Sequence, residues 1–207
     1  MRSASERRPA RHRMVHSAGV LVRERGVHGV GLREIVAHAG GPRGSLQRYF
    51  PGGKTQLVGE ALDLAGAELA VDTERQLGEA RTLAAVIDAV IAPWRQLLLD
   101  SDFTRGCPIA ATVVDASDND QLRERARALL AQWQDSVRDA LIRFGDPKSS
   151  AADHASVLLA AIEGALILAR AQRSTAPLDA VQRFFTSSLT PTGGRSRAHR
   201  RASDRAN

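Results

Sequence analysis

The chain has 207 residues, enough for a small domain joined to a larger one, with 43% hydrophobic residues and a net charge of +6. No continuous apolar run approaches the ~18 residues needed to span a bilayer, and the N-terminal arginines lead into no apolar signal segment, so a cytoplasmic protein without a membrane partner is expected. The single cysteine, Cys107, excludes an internal disulfide and fits a reducing compartment.

The charge is unevenly distributed. Residues 1–60 carry 11 basic and 4 acidic side chains, residues 61–190 carry 13 and 18, and residues 191–207 carry 5 and 1. A basic head on an acidic body suits a nucleic-acid reader with a separate regulatory part, and argues against a protein that coats nucleic acid along its whole surface.

Residues 1–8 form a polar basic arm, expected to be disordered; Arg2, Arg7, Arg8 and Arg11 are candidates for contact with a minor groove or with phosphates. A first helix is predicted from Pro9 to Arg25, with Val15, Ala18, Leu21 and Val22 inward and Gly26 as its stop. His12 and His16 lie four apart on it, a spacing that can hold a metal, but no Glu or Cys completes a set and no metal is expected. Leu32, Ile35, Val36 and Ala39 give a second helix one apolar face. Gly40-Gly41 then predicts a sharp turn, and Pro42 is placed as the first residue of a third helix of about two turns, through Phe50.

Helix, tight turn and short basic helix make a helix-turn-helix. Leu46 and Phe50 face inward, leaving Arg43, Ser45, Gln47, Arg48 and Tyr49 outward. Arginine forks onto guanine or phosphate, glutamine pairs with adenine, and hydroxyls bond phosphate. Arg33 and Pro42 join this set, and Lys54, after the Pro51-Gly52-Gly53 break, is a candidate phosphate clamp at a helix N-terminus.

A fourth helix is predicted over residues 53–76 and a fifth over 82–99, the latter containing Pro93. A loop follows to Pro108, then a short helix over 109–116 and a long one, capped by Asp118 or Asn119, to Phe144. Residues 151–171 are apolar all round and must be buried on two sides, one of them against a second subunit. With a last helix from Pro177 to Leu189 they form a candidate homodimer interface: Val157, Ala161, Gly164, Ala165, Leu168, Val181, Phe184 and Phe185. The alternative is a fully buried central helix of a monomer. Residues 191–207 read as a basic disordered tail.

No nucleophile–base pair, metal set, phosphate loop or dinucleotide fingerprint is present, so neither enzyme activity nor a cofactor is expected. Glu163 lies in the most apolar helix, where a carboxylate needs a partner. Cys107 reads as a buried inert thiol rather than a redox sensor.

Ile35, Ala37, Ala39, Gly40, Gly44, Leu46, Phe50, Lys54 and Leu57 stand where the DNA-binding domain of the TetR family of transcriptional regulators has such residues, so the run from Arg13 to Leu62 resembles that domain. YFPGGK at 49–54 and GCPIAA at 106–111 look like the subgroup typified by the lincomycin-resistance and flavonoid-responsive repressors. Gly31, Gln47 and Gly41-Pro42 depart from the family's more usual Ser or Thr, Tyr and Val-Ser. The resemblance implies an all-α fold of about nine helices: a helix-turn-helix domain over 9–52 and a ligand-binding and dimerisation domain over 53–190. It also implies binding to double-stranded operator DNA as a homodimer, released by an apolar or aromatic small-molecule inducer. Trp94, Leu98, Phe103, Cys107, Ile109, Val113, Leu130, Trp133 and Leu166 are the candidate apolar walls of that site, with Gln134 and Glu163 as polar members. The competing readings are a helical ligand carrier and a sequence-independent DNA binder.

Overall fold

The computed structural model describes residues 9–42 and 44–189. Among them are nine α-helices and no strand: α1 (Ala10–Arg25), α2 (Leu32–His38), α3 (Leu46–Tyr49), α4 (Gly53–Glu79), α5 (Leu83–Asp100), α6 (Pro108–Asp115), α7 (Asp120–Arg143), α8 (Ala151–Gln172) and α9 (Ala176–Leu189). The basic arm, Arg43 and the C-terminal tail lie outside the described residues.

Local chemistry sets the element ends. Gly26 stops α1 with a φ of +74°, a conformation that costs a side-chain-bearing residue. Thr82 accepts from the Ala85 N–H at the start of α5, and Asn119 accepts from the Leu122 N–H at the start of α7. Asn119 also donates to Thr55 Oγ1 at 2.9 Å, tying the start of α7 to α4. Losing both bonds in Asn119→Ala is expected to cost about 1–2 kcal/mol, read as a lower urea midpoint at unchanged slope; an unaltered midpoint would refute the double role.

Two apolar cores meet along α1 and α4. The smaller joins α1, α2, Phe50 and the first turns of α4 around Met14, Ala18, Ile35, Phe50 and Leu57. The larger joins α4 to α9 around Val86, Ile91, Leu98, Leu141, Leu158 and Ile162. Leu57 and Ala61 of α4 point into the first, Val58 and Leu62 into the second. A boundary at residue 52 therefore leaves out the stripe of α4 on which the small core closes.

Around α3 the structure differs from the sequence reading. Pro42 is not a first helical residue; the helix begins at Leu46. The Ser45 amide and hydroxyl both bond the Pro42 carbonyl, at 3.1 and 2.7 Å, closing a turn instead. Phe50 leaves the helical region with φ −135° and ψ 72° because it precedes Pro51. One turn remains where two were expected. Only Gly40 of the glycine pair takes positive φ (+57°); a Cβ at Gly41 would lie 2.4 Å from Met14 Cε, so a side chain there would require the Met14 end to move.

α8 is the one helix among the described residues long and apolar enough to cross a membrane, although no continuous apolar run suggested it. It packs between α7 and α9 and buries Leu158, Leu159, Ile162 and Leu166 in the larger core, as a core helix does.

Candidate nucleic-acid interface and ligand cavity

The head is braced beside α3, whose Leu46 and Tyr49 pack on its core. Arg13 Nε donates to the Ala39 carbonyl at 2.9 Å and Nη2 to that of Gly40 at 3.3 Å, holding the C-terminal end of α2 and the turn. Arg25 and Glu34 pair at 2.6 Å between α1 and α2, and the Arg25 hydrogen bond holds the Glu34 carboxyl below its ordinary range. Neither arginine stood out in the sequence, because a cation that caps another element's carbonyls has no local spacing to mark it.

On this frame Gln47, Arg48 and Arg33 are exposed, and Tyr49 and Lys54 are half-buried. Arg48 lies over the Tyr49 ring, 5.1 Å from its centroid. Ser45 gives its proton to the Pro42 carbonyl, so it is engaged in the turn rather than free as a phosphate donor. Arg11 is not part of a loose arm: it belongs to α1, pairs with Glu60 at 2.6 Å and stacks over Phe50 at 5.1 Å. Arg33, Val36, Ala37, Gly41 and Leu46 line a hollow of about 550 Å³ between α2 and α3.

The two cores are joined at the end of α1. Gly106 N–H donates to the Arg23 carbonyl and Arg170 of α8 to the Glu24 carbonyl, both at 3.0 Å. Arg105 pairs with the Glu24 carboxylate at 3.1 Å, and the Asp115 carboxylate accepts from the His28 N–H. The last carbonyls of α1 are thus gripped by the body.

The expected ligand walls do not enclose one space. Trp94 and Trp133 converge, with ring centroids 5.6 Å apart, but they pack on each other within the core. Leu98, Cys107 and Leu166 are likewise core residues, with Phe103 and Leu130 packed against them. Val113 is exposed on α6, because α6 turns only one side to the core. Gln134 donates to Ser156 at the surface between α7 and α8. The body's cavity, about 180 Å³, lies instead between α1, α4, α5 and α6, where only Trp94 and Ile109 of the expected set line it, with Arg23, Leu69, Pro93 and Leu97. Arg23 was missed because it sits on a helix of the head.

Glu163 faces the Cys107 thiol, and its Oε1 is buried without a hydrogen-bond partner. Burial pushes the carboxyl above its usual range, and the bond from Cys107 offsets only part of this. Burial, then Glu163, push the thiol up in turn, which leaves it unreactive. A raised carboxyl means that the folded state binds the proton more tightly than the unfolded chain. Its contribution is present at acid pH and is lost as pH rises from the ordinary carboxylate range, about 4.3, through the folded value. Glu163→Gln is expected to raise the melting temperature at pH 8 relative to the native chain but not at pH 4; equal differences at both would refute the assignment.

On α8 and α9, Val157, Gly164, Leu168 and Phe184 are exposed, and Ala161 and Val181 half-buried. Two members of the expected interface are not available to a partner: Ala165 and Phe185 lie in the larger core. Ile167, 71% exposed, belongs to the open face and was missed.

Comparison with known proteins gives two family matches. Residues 15–61 match the family described as bacterial regulatory proteins, tetR family, and residues 84–184 match the LmrA/YxaF-like transcriptional regulator C-terminal domain. An uncharacterized HTH-type transcriptional regulator of Mycobacterium tuberculosis is 43% identical over 180 residues, covering 84% of this chain and 90% of that one. The HTH-type transcriptional regulator LmrA of Bacillus subtilis is 26% identical, covering 82% and 90%. The crystal structure of a TetR transcriptional regulator from Legionella pneumophila superposes with a TM-score of 0.80 at 16% identity, covering 87% and 97%.

Proposed function

The chain belongs to the TetR family of bacterial transcriptional regulators, and from that premise we propose that it is a cytoplasmic homodimeric repressor released from its operator by an apolar small molecule. DNA binding through the helix-turn-helix is the family's property; the dimer, the contacts and the release are the reading offered here. The observation that carries it is the pairing of an exposed short basic helix, braced by Arg13 and Arg25, with an open apolar face on α8 and α9. Two such heads, set by the α8–α9 faces, would enter successive major grooves about 34–36 Å apart. Gln47 and Arg48 supply base-edge readers, Arg33 and Lys54 phosphate contacts. The sequence also places Arg43 in this set, outside the described residues.

A ligand can act only through its difference in affinity for two states, and a hundredfold loss of operator affinity takes about 2.7 kcal/mol of coupling. The carbonyls at the end of α1 are a route for that coupling, because body and head both hold this helix.

The test is binding to the chain's own upstream intergenic DNA against random DNA of equal length. Gln47→Ala is expected to weaken the first at least tenfold and leave the second unchanged. Lys54→Ala is expected to weaken both and to lower the salt slope by about one. Equal losses on both DNAs for both variants would sink these roles.

A further inference from the structure

Resting on the ligand-release reading above, we propose that the cavity between α1, α4, α5 and α6 takes a small amphipathic carboxylic acid, its apolar body on Trp94, Leu97 and Ile109 and its carboxylate on Arg23. The cavity holds about 180 Å³, and an apolar cavity of roughly 150 Å³ is enough to hold a benzene ring. Arg23 is the one cation lining it among the described residues. The Arg23 guanidinium has no ion pair among the described residues and is desolvated by burial, with Glu68 attracting it only through space. A half-buried, partly desolvated cation without an ion pair is costly, so a ligand that brings acceptor oxygens gains most here.

The carboxylates near the cavity are placed differently. Glu68 and Asp72 are exposed at the rim, and Asp72 is drawn to Arg75 at 3.7 Å. The interior therefore selects an anion while the rim repels one, which makes Glu68 a tuning residue. Smaller hollows of about 40 and 20 Å³ are lined in part by the same residues, the first sharing Arg23, Ala65 and Glu68 and the second Leu69 and Ile109.

The position also says how such a ligand would act. The Arg23 carbonyl is the one that the Gly106 N–H holds, and the next carbonyl is held by Arg170 from α8. A carboxylate that draws the Arg23 side chain bears on the same turn of α1 that joins the head to the body and to the open apolar face.

The experiment titrates the purified full chain with benzoate and hexanoate, each against the amine and alcohol of the same skeleton. It reads tryptophan fluorescence, since Trp94 is one of only two tryptophans, and in parallel the fraction of operator DNA bound. The acids are expected to bind at least tenfold more tightly than their amines and alcohols. Arg23→Gln is expected to abolish that preference, and Glu68→Gln, at an exposed site that folding tolerates, to tighten acid binding severalfold. If the amines bind as well as the acids, or if the preference survives Arg23→Gln, the proposal is overturned. Loosened acid binding in Glu68→Gln would overturn it too. Acid binding through Arg23 with no effect on the operator would uphold the site and sink the release reading. Release by some other compound, with neither acid preferred over its analogues, would sink the site and leave the release reading standing.

Discussion

Phe50→Ala is expected to abolish operator binding, by at least a hundredfold, while the body stays folded. Phe50 is fully buried and closes the small core against Met14, Ile35 and Leu57. It is also the residue at which α3 stops, so it carries the α3 backbone to the rest of the head. Its ring meets Tyr49 edge-on with centroids 6.5 Å apart and lies under the Arg11 guanidinium. Truncating a buried phenylalanine costs about 3–5 kcal/mol. A core this small has little reserve to absorb that loss. α3 has a single turn, too short to persist without the packing beneath it. The larger core does not include Phe50. The expected result is lost binding to operator and random DNA alike, with most far-ultraviolet helicity retained. Full operator affinity with an unchanged melting curve would show that α3 is held in some other way.

Ile167→Asp combined with Leu168→Asp is expected to leave a folded monomer in place of the proposed dimer. Both side chains are more than half exposed in the protomer, as are Val157 of α8 and Phe184 of α9. A change there removes nothing from the protomer's own core, so its helicity should persist. In a dimer the same carboxylates would be buried without partners, which costs several kcal/mol at each. Sedimentation should then report one chain per particle. Operator affinity should fall by roughly 10²–10⁴, the gain that tethering two heads confers. The contrasting variant is Ala165→Asp, on the same helix but in the core, which should unfold the body instead. A variant that still sediments as a dimer would overturn the assignment of this face.

Much of the fold was legible in the chain because each helix carries its own signals. The stripes of α1, α4, α5 and α7 recur at three- and four-residue spacing, and Gly26 and Asn119 mark ends that the structure keeps. Such signals depend on neighbours within a few residues, and sequence order preserves those. The helix-turn-helix was legible for the same reason, down to exposed Gln47 and Arg48 over buried Phe50.

What tertiary structure decided was everything that depends on which helix lies against which. Between Val157 and Ala169 of α8 only Glu163 is polar, so no pattern could say that Ala165 faces the core while Ile167 faces out; the packing of α7 and α9 against one side settles it. Likewise, the aromatic residues of the body were visible as types, but Trp133 packs on Trp94 within the core and only Trp94 of the two lines the cavity of about 180 Å³. A cavity is the volume left when helices of fixed shape meet, and it opens here beside Arg23, a residue of the head. The turn before α3 was decided between the two levels. Its glycines and proline announced a break, but the Ser45–Pro42 bonds and the constraint from Pro51 cut the helix to one turn.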